Sequence, residues 1–356
     1  MDGEDRVRTL SRRQFLTRGG QFALVATALG GGTVLLDSCK SAASKSGAQK
    51  AALQLAWVPD AEFLGYFIAK EKRYYTKEGL DLTIIPGGPQ VAPEAVVASG
   101  KAFTALTTPD TTANQVVKQH APFKIIATEY QKNPIGIMSL PKANINGPQD
   151  LVGKKVGVPP ANQLTIQLLF KLNNIDPSSV KIVPYSFDPT PLATGEIDAA
   201  IAFVTTDPFL LKDKGVDSRT FLLYDYGVKL YNDTIVVTEK ALSDRRKDVV
   251  AFLRASIKGW QDAIFDTAKR DSYIKLITDK YGKNLNFSTA SQTFQHEAQI
   301  PLMQGPATDE HGLFWMDDAD IKANVDTINQ LQINASPSMF TTAILQEVYQ
   351  GKNRVP

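Results

Sequence analysis

Residues 53–89 read LQLAWVPDAEFLGYFIAKEKRYYTKEGLDLTIIPGGP, and this stretch decides the fold. It opens on a short apolar strand, Leu53 to Trp57. Val58-Pro59-Asp60 leads into residues 62–74, where Phe63, Tyr66, Phe67 and Tyr74 recur at helical spacing. The run Leu82 to Ile85 then reads as a second strand, ended by Pro86-Gly87-Gly88-Pro89, a strong loop signal.

The same alternation continues outward. A helix runs to Ser99 with Gly100 as its C-cap, and Phe123 to Ala127 and Ile135 to Leu140 read as strands. After Asn146-Gly147-Pro148 the pattern restarts. Lys155 to Val158 is a strand and residues 163–172 a helix; Lys181 to Pro184, Ala199 to Val204, Phe221 to Tyr224 and Thr234 to Thr238 are further strands. From Ser243 the chain is mostly helical, with Val249, Val250, Leu253, Ile257 and Trp260 on one face. Phe340, Ile344, Leu345 and Val348 do the same behind Ser338 as N-cap. Strands separated by helices predict an α/β fold with parallel sheets. The restart places one domain inside another: residues 51–137 and 236–356 form a first lobe and 138–235 an inserted second lobe. Segments near 138 and near 235 cross between them.

Composition narrows the function. The 356 residues suffice for about two domains, and 43% hydrophobic with 21% charged residues describes a globular chain. Lys and Arg number 39 against 37 Asp and Glu, so the charge carries no footprint for nucleic acid. A single Cys excludes an internal disulfide, a CxxC pair and a multi-thiolate metal site. His120, His296 and His311 are scattered, and His296-Glu297 lacks the second His of a zinc-protease motif. Neither GxSxG nor a phosphate-binding Walker pattern occurs. No catalytic residue, metal or cofactor is expected.

Ser11-Arg12-Arg13-Gln14-Phe15-Leu16 resembles the twin-arginine export signal, with Thr17 where that pattern has Lys. An uncharged stretch from Gly19 to Leu36 follows, short and Gly-rich for a membrane span. Leu36-Asp37-Ser38-Cys39 then resembles a bacterial lipobox, with Asp37 where a small residue is usual. Residues 1–38 are read as a signal peptide and 39–50 as a flexible tether. Cys39 is the expected lipidation site, and the lipid the only tie to the membrane, at the outer face of the cytoplasmic membrane.

Trp57-Val58-Pro59-Asp60, Gly65-Tyr66-Phe67-Ile68-Ala69-Lys70, Tyr74-Tyr75 and Glu78-Gly79-Leu80-Asp81-Leu82 form one continuous signature. It resembles the ABC-importer substrate-binding proteins of the alkanesulfonate, taurine, nitrate and thiamine-pyrimidine-precursor superfamily, nearest to its pyrimidine-precursor and riboflavin-type members. Arg73 stands where the family has Gly. Val97 to Ala102, Pro148 to Gly157, Leu192 to Ala199, and Phe252 to Ala255 with Gly259-Trp260 follow in family order. The resemblance implies a type II periplasmic-binding-protein fold: two α/β lobes, two crossing segments and a ligand clamped between them. It also implies a permease and its ATPase as partners of a monomer. The alternatives it leaves are a binder of an alkanesulfonate, taurine or similar anion, and a pyrimidine-synthase-like enzyme.

Ligands of open α/β sheets sit beyond the carboxyl ends of strands. The candidate contacts are therefore Trp57, Asp60 and Phe63; Gly87 and Gly88; Thr108 and Asp110; Tyr130, Gln131 and Asn133; Asn162; Phe187 and Asp188; and Asp207. Trp57 and Phe63 are also readable as core, Phe63 more so, and Asp60, Thr108 and Asp110 as helix caps. Gly87 and Gly88 are equally readable as a plain turn. These loops hold four acids, Asp60, Asp110, Asp188 and Asp207, and one base, Lys132. An anion site calls for fixed Arg or Lys donors. The balance instead predicts a neutral or cationic ligand, a flat nitrogen heterocycle such as an aminopyrimidine or a flavin.

Overall fold

The structure, a computed structural model, describes residues 47–186 and 188–356. Arg12, Arg13, Cys39 and Phe187 lie outside the described residues. The strands are β1 (Gln49–Gln54), β2 (Leu80–Ile85), β3 (Thr104–Thr107), β4 (Phe123–Tyr130), β5 (Ile135–Ser139), β6 (Lys155–Val158), β7 (Lys181–Pro184), β8 (Ala199–Phe203), β9 (Arg219–Leu222) and β10 (Asn232–Thr238). They form two five-stranded sheets in the orders β2-β1-β3-β10-β4 and β7-β6-β8-β5-β9.

Each sheet contains one reversed strand. β1 pairs in parallel with β2 and β3, while β10 runs antiparallel to β3 and β4. In the second sheet β6 is parallel to β7 and β8, while β5 runs antiparallel to β8 and β9. The reversed strand is in each case the one that the chain enters directly from the other sheet. The other strands end at the edge facing the crossings. A chain arriving there can only run back into the sheet, against its neighbours.

The crossings are therefore 131–134 and 223–231. Positions 138 and 235, where the sequence pattern puts them, lie inside β5 and β10. Apolar runs mark the buried strands, whereas the crossings themselves are short and mixed in composition. The two crossings are bonded to each other. The Asn133 amide N–H donates to the Leu230 carbonyl at 3.1 Å, and its side-chain Nδ2 to the Tyr231 carbonyl at 3.2 Å. Lys132 pairs with Asp225 at 3.1 Å. The lobes also touch where Phe209 packs on Phe294, ring centroids 5.6 Å apart.

The first lobe is built around two helices, Leu64–Glu71 and Arg246–Phe265. Val249, Val250, Leu253, Ile257 and Trp260 are all buried, as their spacing predicts. The helices approach so closely that a Cβ on Gly259 would lie 2.0 Å from the Gly65 carbonyl oxygen. A Cβ on Gly65 would lie 2.2 Å from the Trp260 ring. The last helix starts at Ala343 rather than behind Ser338. Phe340 is held extended by a bridge to Ile125, and Ser336 caps the short turn before it.

Arg73 has a φ of 58°, the left-handed region that costs an L-residue about 1–2 kcal/mol. Its side chain is exposed. Arg73→Gly is expected to raise the unfolding free energy by up to about 1 kcal/mol, the glycine's extra chain entropy offsetting part of the relief. Chemical denaturation checks this; a lower midpoint would contradict it.

Candidate functional site

A cavity of about 180 Å³ lies where both sheets meet both crossings. From the first lobe, Thr108, Asp110 and Thr111 reach it at the start of the helix Pro109–Gln119, just beyond β3. From the second, Asn162 and Thr165 reach it at the start of the helix Gln163–Leu172, just beyond β6. Neither helix has a side-chain cap bond at its N-terminus, although the Gln163 amide already donates to the Pro160 carbonyl of the preceding turn. The crossings add Asn133, Leu223, Tyr224, Val228 and Leu230; Ile135 and Asn232 complete the wall from β5 and β10.

The chemistry of this wall is polar but nearly uncharged. Asn162 and Asn232 present carboxamides, which both donate and accept, while the Asn133 carboxamide is engaged by the Ile135 amide and the Tyr231 carbonyl. Asp110 is the only ionisable carboxyl of the lining, half-buried and without a hydrogen-bond or ion-pair partner among the described residues. Tyr224 supplies a ring. Lys229 Nζ stands 4.0 Å and Lys132 Nζ 5.4 Å from its centroid, and neither lysine lines the cavity. Burial, with Asp320 and Asp225 nearby, pushes the Tyr224 phenol up, so it stays a neutral donor.

Thr108, Asp110, Asn133 and Asn162 thus surround one space, and the remaining expected contacts among the described residues sit elsewhere. Trp57 is 40% exposed on the loop after β1, outside the lining. Phe63 is fully buried in the core of the first lobe. The Tyr130 hydroxyl is buried and donates to Gln299 Oε1 at 2.8 Å. Gln131 Nε2 donates to the Trp315 carbonyl. Gly87 is needed for a close approach, since a Cβ there would lie 2.3 Å from the Leu55 carbonyl oxygen, and Gly88 packs beside Val58. Asp188 is exposed and accepts from the Thr190 amide, a turn contact that holds its carboxyl below the usual range. Asp207 accepts from the Phe203 amide at 2.9 Å; burial pushes it up to about 6. The cavity residues not anticipated are Thr165, Tyr224 and Asn232 with their apolar neighbours. Tyr224 ends a run that reads as strand, yet the chain turns at Leu223–Tyr226 and aims the ring inward.

Asp60 belongs to a second feature, a buried carboxyl cluster with Glu62, Glu129 and Asp233. Its carboxylate accepts from the Glu62 amide at 2.9 Å, and burial pushes it up to about 6 against the pull of the neighbouring Gln295 amide. Burial first, then Asp233 and Asp60, pushes Glu62 well up. Burial does the same to Glu129, which accepts from the Tyr66 hydroxyl. Asp233 is raised by burial and by Glu129. The loop carrying Asp60 is gripped by the helix Thr289–Met303. Gln292 accepts from the Ala61 amide and Gln299 donates to the Ala61 carbonyl, both at 2.8 Å.

The family model described as NMT1/THI5 like matches residues 60–270. The chain is 26% identical to the formylaminopyrimidine-binding protein of Halalkalibacterium halodurans, over 64% of this chain and 71% of that one. It is 25% identical to the riboflavin-binding protein RibY of Chloroflexus aurantiacus, over 76% of this chain and 77% of that one. A crystal structure of the ligand-binding component of an ABC-type import system from Staphylococcus aureus superposes with a TM-score of 0.58 and 16% identity, covering 84% of this chain and 99% of that one. The superposition matches the two-lobe α/β architecture. The family match spans more than half of the chain, every strand but β1 and both crossings included, and the protein belongs to the NMT1/THI5-like family.

Proposed function

We propose that this protein is the extracytoplasmic substrate-binding component of an ABC importer, taking a small, flat nitrogen heterocycle into the cavity between its lobes. The observation that carries this is the cavity wall. Three carboxamides, an unpaired carboxylate and an aromatic ring line it, with no Lys or Arg. A heterocycle bearing ring nitrogens and an exocyclic amine satisfies such a wall with both donors and acceptors. At about 180 Å³ the space falls below the roughly 300–1,000 Å³ of drug-sized sites, so a single ring fits it better than a three-ring flavin. The relatives that bind formylaminopyrimidine and riboflavin support the same ligand class.

The chain binds without turnover, as a monomer, and hands its ligand to a permease served by an ATPase. A second reading, an anionic ligand, is favoured by the two uncapped helix N-termini. A thermal-shift screen separates the two. Stabilisation by 4-amino-5-hydroxymethyl-2-methylpyrimidine or its formylamino derivative supports the heterocycle; stabilisation by taurine or an alkanesulfonate alone supports the anion.

The protein is exported through its twin-arginine segment and held by lipid on Cys39. No helix among the described residues is long and apolar enough to cross a membrane. Cys39→Ser is expected to move the protein from the membrane fraction to the soluble one, because the acyl chains supply the membrane affinity. A Cys39→Ser protein that resists washing from membranes would contradict the lipid anchor.

A further inference from the structure

One acid stands directly behind the cavity wall. Glu94, 5% exposed, sits in the first turn of the short helix Pro93–Ala98 and is not itself part of the lining. The Thr111 hydroxyl, which belongs to the lining, donates to Glu94 Oε1 at 2.6 Å. The buried Thr112 hydroxyl reaches the same oxygen at 3.4 Å and is fixed in turn by Thr107, 2.9 Å away. The Glu94 carboxyl has no other hydrogen-bond or ion-pair partner among the described residues, so no cation compensates it.

This arrangement gives the wall a direction. A threonine hydroxyl carries one proton. That of Thr111 has three acceptors within reach: Glu94 Oε1, the Thr108 carbonyl at 2.9 Å and the Thr108 hydroxyl at 3.1 Å. The carboxylate is the nearest and makes the charge-assisted bond, and the Thr108 carbonyl already accepts from the Thr112 amide at 3.1 Å. With its proton committed to Glu94, Thr111 has only lone pairs left to offer. The Thr108 hydroxyl, also in the lining, then donates to Thr111 and keeps its own lone pairs free to accept. Asp110, between them in the chain, adds the unpaired carboxylate already described. The first lobe's side of the cavity is thus made of acceptors, with an uncompensated carboxylate one hydrogen bond behind them.

We propose that Glu94 sets the selectivity of the cavity: through Thr111 it fixes the first-lobe wall as a hydrogen-bond acceptor, which favours a ligand carrying N–H or O–H donors and rejects an oxyanion. This deepens the proposed function and rests on its reading of the cavity as the ligand site. Glu94 touches no ligand and is a positioning residue. The rejection comes from lone pairs and charge placed against the wrong ligand.

Titration calorimetry of the full chain with 4-amino-5-hydroxymethyl-2-methylpyrimidine and, separately, with ethanesulfonate tests it. The readout is the ratio of the two affinities, which a merely structural role would leave unchanged because both ligands would weaken together. Glu94→Gln keeps the side chain's shape, removes the charge and supplies an amide that can donate to Thr111. It is expected to weaken the pyrimidine and strengthen the sulfonate, lowering the ratio at least about tenfold, the scale of one hydrogen bond. Thr111→Val alters an exposed position and removes the hydroxyl through which Glu94 acts, so it should lower the ratio even where Glu94→Gln fails to fold. Asp81→Asn is the control: this exposed acid on β2 of the same lobe lies outside the lining, and its loss should leave the ratio as in the wild type. A wild type that prefers the pyrimidine, with a ratio unchanged in Glu94→Gln or Thr111→Val, would overturn the role of Glu94 and leave the proposed function standing. A wild type that prefers the sulfonate would contradict the proposed function. In that case a further gain of sulfonate affinity in Glu94→Gln would support the role of Glu94, and no gain would overturn it too.

Discussion

Gly259→Ala is expected to lower the unfolding free energy by about 3 kcal/mol, the upper end of the overpacking range. The added Cβ would stand 2.0 Å from the Gly65 carbonyl oxygen and 2.8 Å from the Ala69 Cβ. Neither is the end of a flexible side chain that can swing aside. The two helices must move apart, and Tyr66, stacked on Phe252 and met edge-on by Trp260, loses both contacts together. Thermal unfolding should show a loss of roughly 5 °C or more. Gly305→Ala is the control, since nothing lies within 4 Å of a Cβ there and its backbone is extended. It should stay within about 0.5 kcal/mol of the wild type. Equal melting of Gly259→Ala and wild type would contradict the packing.

Asp110→Ala and Tyr224→Ala are each expected to weaken ligand binding by about ten- to a hundredfold. A hydrogen bond to a charged acceptor contributes about 1.5–3 kcal/mol, and stacking of a base on an aromatic ring about 1–3 kcal/mol. Each 1.4 kcal/mol or so is a factor of about ten. Asp110 has no hydrogen-bond or ion-pair partner among the described residues, so its removal should leave the melting temperature nearly unchanged. Asp60→Ala should behave differently. It breaks the contact to the Glu62 amide inside the buried cluster, and its effect should fall on stability. Affinity lost equally in Asp60→Ala and Asp110→Ala, with both variants stable, would move the binding site from the cavity to the cluster.

The alternation of apolar runs with helical spacing made the two α/β lobes legible, because buried parallel strands leave continuous apolar stretches. The helix over 163–172 and the strand at 155–158 stand where their patterns put them. The edges were harder to read. β1 begins at Gln49, four residues before the apolar run, since its exposed first turn of strand needs no apolar side chain. The crossings carry no pattern, being neither buried strand nor α-helix.

The site was half legible for a related reason. The rule that ligands gather beyond strand ends led to Thr108, Asp110, Asn133 and Asn162, which do share one cavity. It also selected residues that close the first lobe's own core, Phe63 and Tyr130, because a strand-end loop can turn inward as readily as into the cleft. Tyr224 reaches the cavity from the second crossing and Asn232 from the strand it leads into, and the path of that crossing depends on contacts such as Asn133 with Leu230 that lie about a hundred residues apart in the chain. Local sequence holds no record of such a contact. Glu62, Glu129 and Asp233 went unnoticed for the same cause: three ordinary acids, brought together only by the order of the strands.

Titration calorimetry of the purified chain with 4-amino-5-hydroxymethyl-2-methylpyrimidine tests the central claim most directly. The expected result is saturable binding of one molecule per chain, with a negative heat-capacity change from burial between the lobes and no product after prolonged incubation. Absence of binding by this pyrimidine and its formylamino derivative, together with tight binding of taurine or an alkanesulfonate, would contradict it.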